Sequence, residues 1–349
     1  MRPIIALCFS LSLSLSALAC GDDGPGAGPG AAGSGAAGSG GGESADDGSG
    51  WRALASIAAG ARQEHSVVEL DGKVYVVAGV GGDGMNTGRV EVYDPREDTW
   101  SEAAPLPIGL NHPNVAALGG KIYLLGGMIG DFPWTAVGDG FVYDPATDTW
   151  TELTPMPEGT ERGSAAVGAH GTKIYLAGGL RSLSEAFQDT VLAFSSYDVE
   201  TGAWEALPDL PEPRDHVGGA VVRSTFYVLG GRANGQGNVK DTVFAFDLSA
   251  GAWSTRAPMP TARGGVAAAA MGEKIYVIGG EGNEAPDSLG VFDDNEAYDT
   301  AADTWEVLAP MRTPRHGTGA VAVGATIYVP GGGTQQSFGA TDVSEAFTP

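Results

Sequence analysis

Positive charge is scarce in this chain: 19 Lys and Arg stand against 43 Asp and Glu in 349 residues, a formal net charge of −24. So acidic a protein has no footprint for tracking phosphates, which argues against nucleic acid as a partner, and anionic lipid headgroups repel it. Cysteine is nearly absent. Cys8 and Cys20 cannot frame a disulfide scaffold. Charged residues of both signs make up only 18% of the chain and hydrophobic residues 42%, which excludes a disordered polypeptide, while 56 glycines exclude a helical bundle. Catalytic signatures are missing as well: there is no nucleophile elbow, no His-Glu-x-x-His and no EF-hand spacing. What is left is a globular, turn-rich protein.

The first residues are a processing signal. Met1-Arg2-Pro3 is a short basic start, Ile4 to Leu18 is an apolar and Ser-rich run, and Ala17-Leu18-Ala19 precedes Cys20, so 1–19 reads as a secretory signal. The segment resembles a bacterial lipoprotein signal, with Ala17 where Leu is usual. That resemblance implies cleavage before Cys20, a lipid on Cys20, and, since Gly21 rather than Asp follows, an address at the outer membrane or cell surface. Plain cleavage after Ala19 fits the same residues. Residues 21–50 hold 13 glycines, five acids and no basic or large apolar side chain; with nothing to bury they form a tether, and 20–50 is assigned as lipidated cysteine plus tether.

From residue 51 to 349 the chain repeats. Tyr75, Tyr123, Tyr175, Tyr227, Tyr276 and Tyr328 are spaced 48, 52, 52, 49 and 52 residues apart, and each is followed by a small pair: Ala78-Gly79, Gly126-Gly127, Gly178-Gly179, Gly230-Gly231, Gly279-Gly280 and Gly331-Gly332. A second aromatic stands seven residues before a tryptophan in five units: Tyr93 and Trp100, Tyr143 and Trp150, Tyr197 and Trp204, Phe246 and Trp253, Tyr298 and Trp305. A period near fifty built of strand-like pieces indicates a propeller. Each unit reads as four short strands. The small-residue strand lies innermost, and the glycine pair is expected to admit close aromatic packing.

This pattern resembles the Kelch repeat family over essentially all of 51–349, departing at Ala78, Phe246, Phe347 and Pro330. The resemblance implies an all-β propeller of four-stranded blades. The last unit ends at Phe347-Thr348-Pro349 without its tryptophan strand, while Trp51 precedes Trp100 by 49 residues without the first three strands. The expectation is therefore six blades, the last completed by an N-terminal strand around Trp51 in a monomeric ring. Kelch-type copper oxidases join a cysteine to a tyrosine, and the mature propeller has no cysteine.

The connections from strand four to the next strand one and from strand two to three leave the same end of each blade. The two-to-three loops are long and uneven, as recognition loops on a rigid scaffold are. At the start of strand one an arginine recurs, Arg62, Arg162, Arg214, Arg263 and Arg315, with Leu110 in the sixth place; Arg181 and Arg232 follow glycine pairs. Such arginines either hold an acidic ligand at the channel mouth or pin loops by bonding carbonyls. His65, His112, His216 and His316 sit near these positions at differing offsets, so no metal and no cofactor is expected. Trp134 is the one tryptophan outside the repeat register and either stacks on a sugar or peptide side chain or packs over a neighbouring blade. Two functions follow as expectations. One is an envelope binding scaffold for a protein or glycan. The other is a sugar-modifying enzyme, since bacterial secreted Kelch propellers similar to this one act as sialic acid mutarotases, for which Asp215, Glu161 and Glu64 are the available acids.

Overall fold

The computed structural model describes residues 48–349; the signal, Cys20 and nearly all of the tether lie outside the described residues. Each repeat folds as an antiparallel meander. Blade 1 is built from Ser66–Leu70, Lys73–Val77, Val90–Asp94 and Thr99–Ala103. Blade 2 uses Val115–Leu118, Lys121–Ile129, Trp134–Asp144 and Thr149–Leu153. Blade 3 uses Ala166–His170, Lys173–Ala177, Phe194–Asp198 and Ala203–Leu207. Gly218–Val222, Thr225–Leu229, Val243–Asp247 and Ala252–Arg256 make blade 4. Ala267–Met271, Lys274–Ile278, Asn295–Asp299 and Thr304–Val307 make blade 5.

Blade 6 joins the two ends of the propeller. Val321–Val323, Thr326–Pro330 and Ser344–Phe347 pair in sequence, and Trp51–Ala53 adds the outer strand with Trp51 opposite Phe347. The six-bladed ring closed by Trp51 is thus as the repeat count requires. The same cross-strand pair recurs in every blade: Tyr93 faces Trp100 and Tyr298 faces Trp305 with ring centroids 5.1 Å apart, and Trp51 and Phe347 stand 5.0 Å apart. No helix among the described residues is long and apolar enough to cross a membrane.

Blades are joined by a repeated clamp. Each outer-strand indole donates to a carbonyl just beyond the outer strand of the preceding blade: Trp100 to Ala55 at 2.8 Å, Trp150 to Ala104 at 2.8 Å, Trp305 to Ala257 at 2.9 Å, and Trp51 to Ala309 at 2.9 Å. Near the axis the inner strands crowd together. A Cβ on Gly219 would lie 2.4 Å from the Val167 amide nitrogen, so small residues there are a steric necessity. The glycine pairs serve a different purpose from the aromatic packing expected. Their first member lies in the left-handed region, at φ +59° for Ala78 and +62° for Gly279. A Cβ on Gly279 would sit 2.3 Å from the Arg315 carbonyl oxygen, and the next amide, Gly280, donates to that oxygen at 2.9 Å. The pair admits the backbone of the following blade.

Candidate functional site

The recurring arginines do not encircle an open mouth. Arg62, Arg162, Arg214, Arg263 and Arg315 are all buried, and none lines the axial cavity. Arg62 donates to the Ala78 carbonyl and to Glu91, Arg263 to the Gly279 carbonyl and to Glu296, and Arg315 to the Val329 carbonyl and to Glu345. Arg162 reaches the Leu176 carbonyl and the Ser195 hydroxyl, and Arg214 reaches Glu212 while lying over the Phe244 ring. In blade 2, Leu110 takes the arginine's place and Phe141 the glutamate's, both in one apolar cluster. These side chains act as struts inside blades, because a buried guanidinium must satisfy its donors on nearby carbonyls and carboxylates. Arg181 pairs with Asp189 near the surface, outside the cavity lining. Arg232 alone of the seven reaches the cavity.

Two residues beyond each strut position the chain turns onto the axis. Glu64, His112, Ser164, His216, Gly265 and Gly317 all have left-handed backbone, with φ of +52°, +48°, +58°, +49°, +61° and +61°. Four of them carry side chains, a conformation that costs about 1–2 kcal/mol per residue. Hydrogen bonds close the ring. His112 N donates to the Glu64 carbonyl, Ser164 N to His112, Gly265 N to His216, Gly317 N to Gly265 and Glu64 N to Gly317, while His216 N donates to the Ser164 hydroxyl at 3.0 Å. The turn aims Glu64, His112 and His216 at one another: His112 Nε2 is 3.0 Å from Glu64 Oε2 and 2.8 Å from His216 Nε2.

Charged groups support this ring. His216 Nδ1 donates to Asp215 Oδ1 at 2.7 Å, Arg232 Nε donates to the same oxygen at 3.1 Å and its Nη1 to Glu281, and Arg232 Nη2 donates to His216 Nε2 at 3.0 Å. His316 Nε2 donates to the Gln335 carbonyl at 2.9 Å, and its Nδ1 lies 3.6 Å from both Glu64 and Glu281. Burial resists the ionisation of Glu64, yet His112, His316 and His216 together hold its carboxyl far below the usual range. Burial likewise opposes Glu281, which Arg232, His316 and His216 nonetheless keep lowered. Burial, seconded by Arg232, pushes the His216 imidazole below its ordinary value.

Above the ring, on the loop face, lies a cavity of about 380 Å³; behind it a narrower channel of about 110 Å³ continues down the axis. The cavity is two-sided. After the glycine pairs of blades 1 to 3 come Val80, Met128 and Leu180, which pack with Trp134 and Leu183; the equivalent residues in blades 4 and 5 are Arg232 and Glu281. Trp134 is buried and tilts against His112 at 5.4 Å. It also meets Phe132 at 5.3 Å and Phe338 of blade 6 at 5.9 Å. An apolar, aromatic wall thus faces a floor of buried acids and imidazoles, suited to a guest with one apolar face and polar groups at its base.

Of the histidines near the struts, His112, His216 and His316 converge on this cavity, while His65 faces the rear channel and donates from Nε2 to the Pro330 carbonyl at 3.0 Å. Glu64 and Asp215 join the cluster; Glu161 does not line it. Glu281 went unnoticed in the sequence. The signal that finds the ring is register: Glu64, His112, Ser164, His216, Gly265 and Gly317 each stand eleven residues before their repeat tyrosine. The four histidines taken together hide it, because His65 and His316 occupy the positions on either side.

Comparison with known proteins agrees with this architecture. Residues 163–344 match the family model described as the KLHDC2/KLHL20/DRC7 Kelch-repeats domain, and 61–107 and 110–157 match the Kelch motif. The chain is 43% identical over 296 residues to Kelch-like protein terF of Aspergillus terreus, covering 82% of this chain and 64% of that one. It is 35% identical over 197 residues to Kelch-like protein 35 of Mus musculus, covering 56% and 31%. It therefore spans less than two thirds of the first of these relatives and about a third of the second. Among solved structures, that titled "Structure of YjhT" superposes with a TM-score of 0.70 at 17% identity, covering 83% of this chain and 95% of that one, a likeness of fold. With more than half of its length matched by one repeat model and the remaining blades by another, the chain belongs to the Kelch-repeat family.

Proposed function

We propose that this chain is a binding module of the cell envelope, anchored by a lipid on Cys20, whose propeller takes a small guest into the loop-face cavity. A sugar unit of a glycan or a protruding side chain of a protein is the size of guest that fits. The observation that carries this reading is the cavity itself: about 380 Å³, with Trp134, Phe132 and Phe338 on one wall and polar groups fixed by burial beneath. That is the usual composition of a site for a small organic molecule. With the five strut arginines turned inward and two buried carboxylates, Glu64 and Glu281, against one guanidinium on the floor, charge favours a neutral or cationic guest over an acidic one. A glycan array probed with the purified protein tests this. Retention of a neutral or amino-sugar glycan that falls about tenfold in Phe338→Ala, with unchanged thermal stability, supports it; retention unaffected by that substitution removes the cavity from the function.

A second reading, proton transfer on the sugar ring of the same guest, is favoured by one observation, the strained ring that holds Glu64 against two imidazoles. General acid and base groups need to be placed in this way. Anomer exchange of N-acetylneuraminic acid and of neutral aldoses, followed by NMR, decides it. Acceleration by the protein that disappears in Glu64→Gln supports an enzyme; rates equal to buffer leave the binding module alone.

A further inference from the structure

Both axial imidazoles have their tautomers dictated from behind. The Gly130 carbonyl can only accept, and Asn86 Nδ2 donates to it at 2.9 Å. Asn86 Oδ1 therefore accepts from Asn111 Nδ2 at 2.7 Å, and Asn111 Oδ1 is left to accept from His112 Nδ1. On the other side, His216 Nδ1 donates to Asp215, itself held by Arg232 and the Thr190 hydroxyl. Each Nδ1 thus carries a proton, which leaves Nε2 as the atom each imidazole turns to the axis, the two 2.8 Å apart with Glu64 Oε2 3.0 Å from one of them. A carboxylate or amide oxygen behind each imidazole is the arrangement that orients histidines toward a metal.

The surroundings lack positive charge. Glu64, Asp215 and Glu281 are buried acids, and Arg232 is the single buried guanidinium beside them, which leaves two negative charges. Elsewhere in the interior Arg62, Arg263 and Arg315 are matched one to one with Glu91, Glu296 and Glu345. Two more buried acceptors point into the cluster, Glu281 Oε2 and His316 Nδ1, and neither has a hydrogen-bond partner among the described residues. Buried acceptors without donors are costly, and a cation on the axis offsets the negative charge that they and the neighbouring carboxylates bring together.

We propose that Glu64 Oε2, His112 Nε2 and His216 Nε2 bind one first-row divalent cation of the zinc class on the propeller axis, with its remaining position open to the loop-face cavity. The three ligand atoms already lie within 4.8 Å of one another. Around a tetrahedral zinc such atoms stand about 3.3 Å apart, so the His112 contacts of 3.0 Å to Glu64 and 2.8 Å to His216 need lengthen by only a few tenths of an ångström. Two nitrogens and one carboxylate oxygen suit zinc, cobalt or nickel rather than calcium or magnesium, and three protein ligands with an open fourth position are the pattern of a working site, not a structural one. Arg232 gives up its contact with His216 and keeps Asp215 and Glu281.

The inference goes beyond guest binding, since cation uptake is read with no guest present and either can fail alone. The test uses the purified full chain, stripped with a chelator and titrated with Zn²⁺ by calorimetry and with Co²⁺ by visible absorption. Expected is one equivalent with intense ligand-field bands, affinity lower by about a hundredfold or more in His112→Gln and Glu64→Gln and by about tenfold in Asn111→Leu, and no change in His170→Gln at the far end of blade 3. Should the substituted proteins fail to fold, anomalous scattering at the zinc edge from wild-type crystals locates the ion. Density between Glu64, His112 and His216 supports the site. Failure of the stripped protein to take up an equivalent, uptake unchanged in a folded Glu64→Gln/His112→Gln variant, or anomalous density elsewhere overturns it.

Discussion

The Trp51 indole donates to the carbonyl oxygen of Ala309 at 2.9 Å, 258 residues away in sequence. It is the same clamp that Trp100 makes to Ala55 and Trp150 to Ala104, but here it is what holds the ring shut, because Trp51–Ala53 reaches blade 6 only through hydrogen bonds and packing. Trp51 is 1% exposed and packs against Phe347 and Met311. Trp51→Ala should cost about 3–5 kcal/mol, and deletion of 51–57 should leave an unpaired edge on Ser344–Phe347 that drives aggregation. Thermal melts with light scattering check both; a truncated chain that melts like its parent contradicts the closure.

Removing one member of an internal strut should be far worse than removing both. Arg263→Leu leaves Glu296 buried without its partner, for an expected loss of about 3–5 kcal/mol. Arg263→Leu with Glu296→Phe copies the apolar pair Leu110 and Phe141 that blade 2 already uses, and should recover most of it. A double-mutant cycle in urea measures the difference. A double variant no more stable than Arg263→Leu would show that the struts are not interchangeable with apolar packing.

The clamps also set the response to acid. Asp148 is held below its ordinary range first by the Ala104 amide and then by the Tyr143 hydroxyl, and Asp303 first by the Tyr298 hydroxyl and then by the Ala257 amide. Turn amides lower Asp247 and Asp299 in the same direction. A carboxylate whose folded pKa lies below its unfolded value stabilises fully above the unfolded value, near 3.9, and loses that contribution as pH falls through the folded one. Melting temperature should begin to fall below about pH 6.5, where the unfolded chain protonates histidines that burial keeps neutral at His65 and His216, and fall more steeply below about 4, where the carboxylates add their share. Asp148→Asn with Asp303→Asn should be less stable at pH 7 and fall less steeply in acid; parallel curves would place the acid response elsewhere.

Gly279 and Ala78 occupy equivalent places with opposite consequences. Gly279→Ala meets the Arg315 carbonyl at 2.3 Å with φ at +62° and should lose about 2–4 kcal/mol, combining left-handed strain with overpacking. Ala78 already bears the strain at φ +59°, so Ala78→Gly should be neutral or gain up to about 1 kcal/mol. Urea unfolding of the two variants checks the pair.

The fold could be read in the sequence because its determinants repeat. The pair of Tyr93 and Trp100 recurs at a fixed spacing in five blades since its members are cross-strand neighbours, and Trp51 could be matched to Phe347 because each lacked the other. The arginines allowed two readings for the same reason, and the structure has the one in which they bond carbonyls and acids inside the blade. A repeated position reports what every blade needs, and every blade needs its interior satisfied; Glu91, Glu296 and Glu345, two residues before the repeat aromatic, were the partners to look for. The cavity depends on what does not repeat. Glu64, His112 and His216 share one register that other blades fill with Ser or Gly, and Phe132 and Phe338, from uneven two-to-three loops, and Trp134, at the start of strand three in blade 2, stand outside the repeat register, so only the closed ring brings them together.

Trp134 provides the most direct measurement. Six of the seven tryptophans are committed to blade clamps, and Trp134 alone lines the cavity. In protein labelled with ¹⁵N at its indoles and titrated with a glycan selected on the array, the Trp134 signal should move to saturation while the six clamp signals stay in place. A saturable guest that shifts clamp indoles and leaves Trp134 unmoved would put the binding surface on the outside of the ring and contradict an axial site.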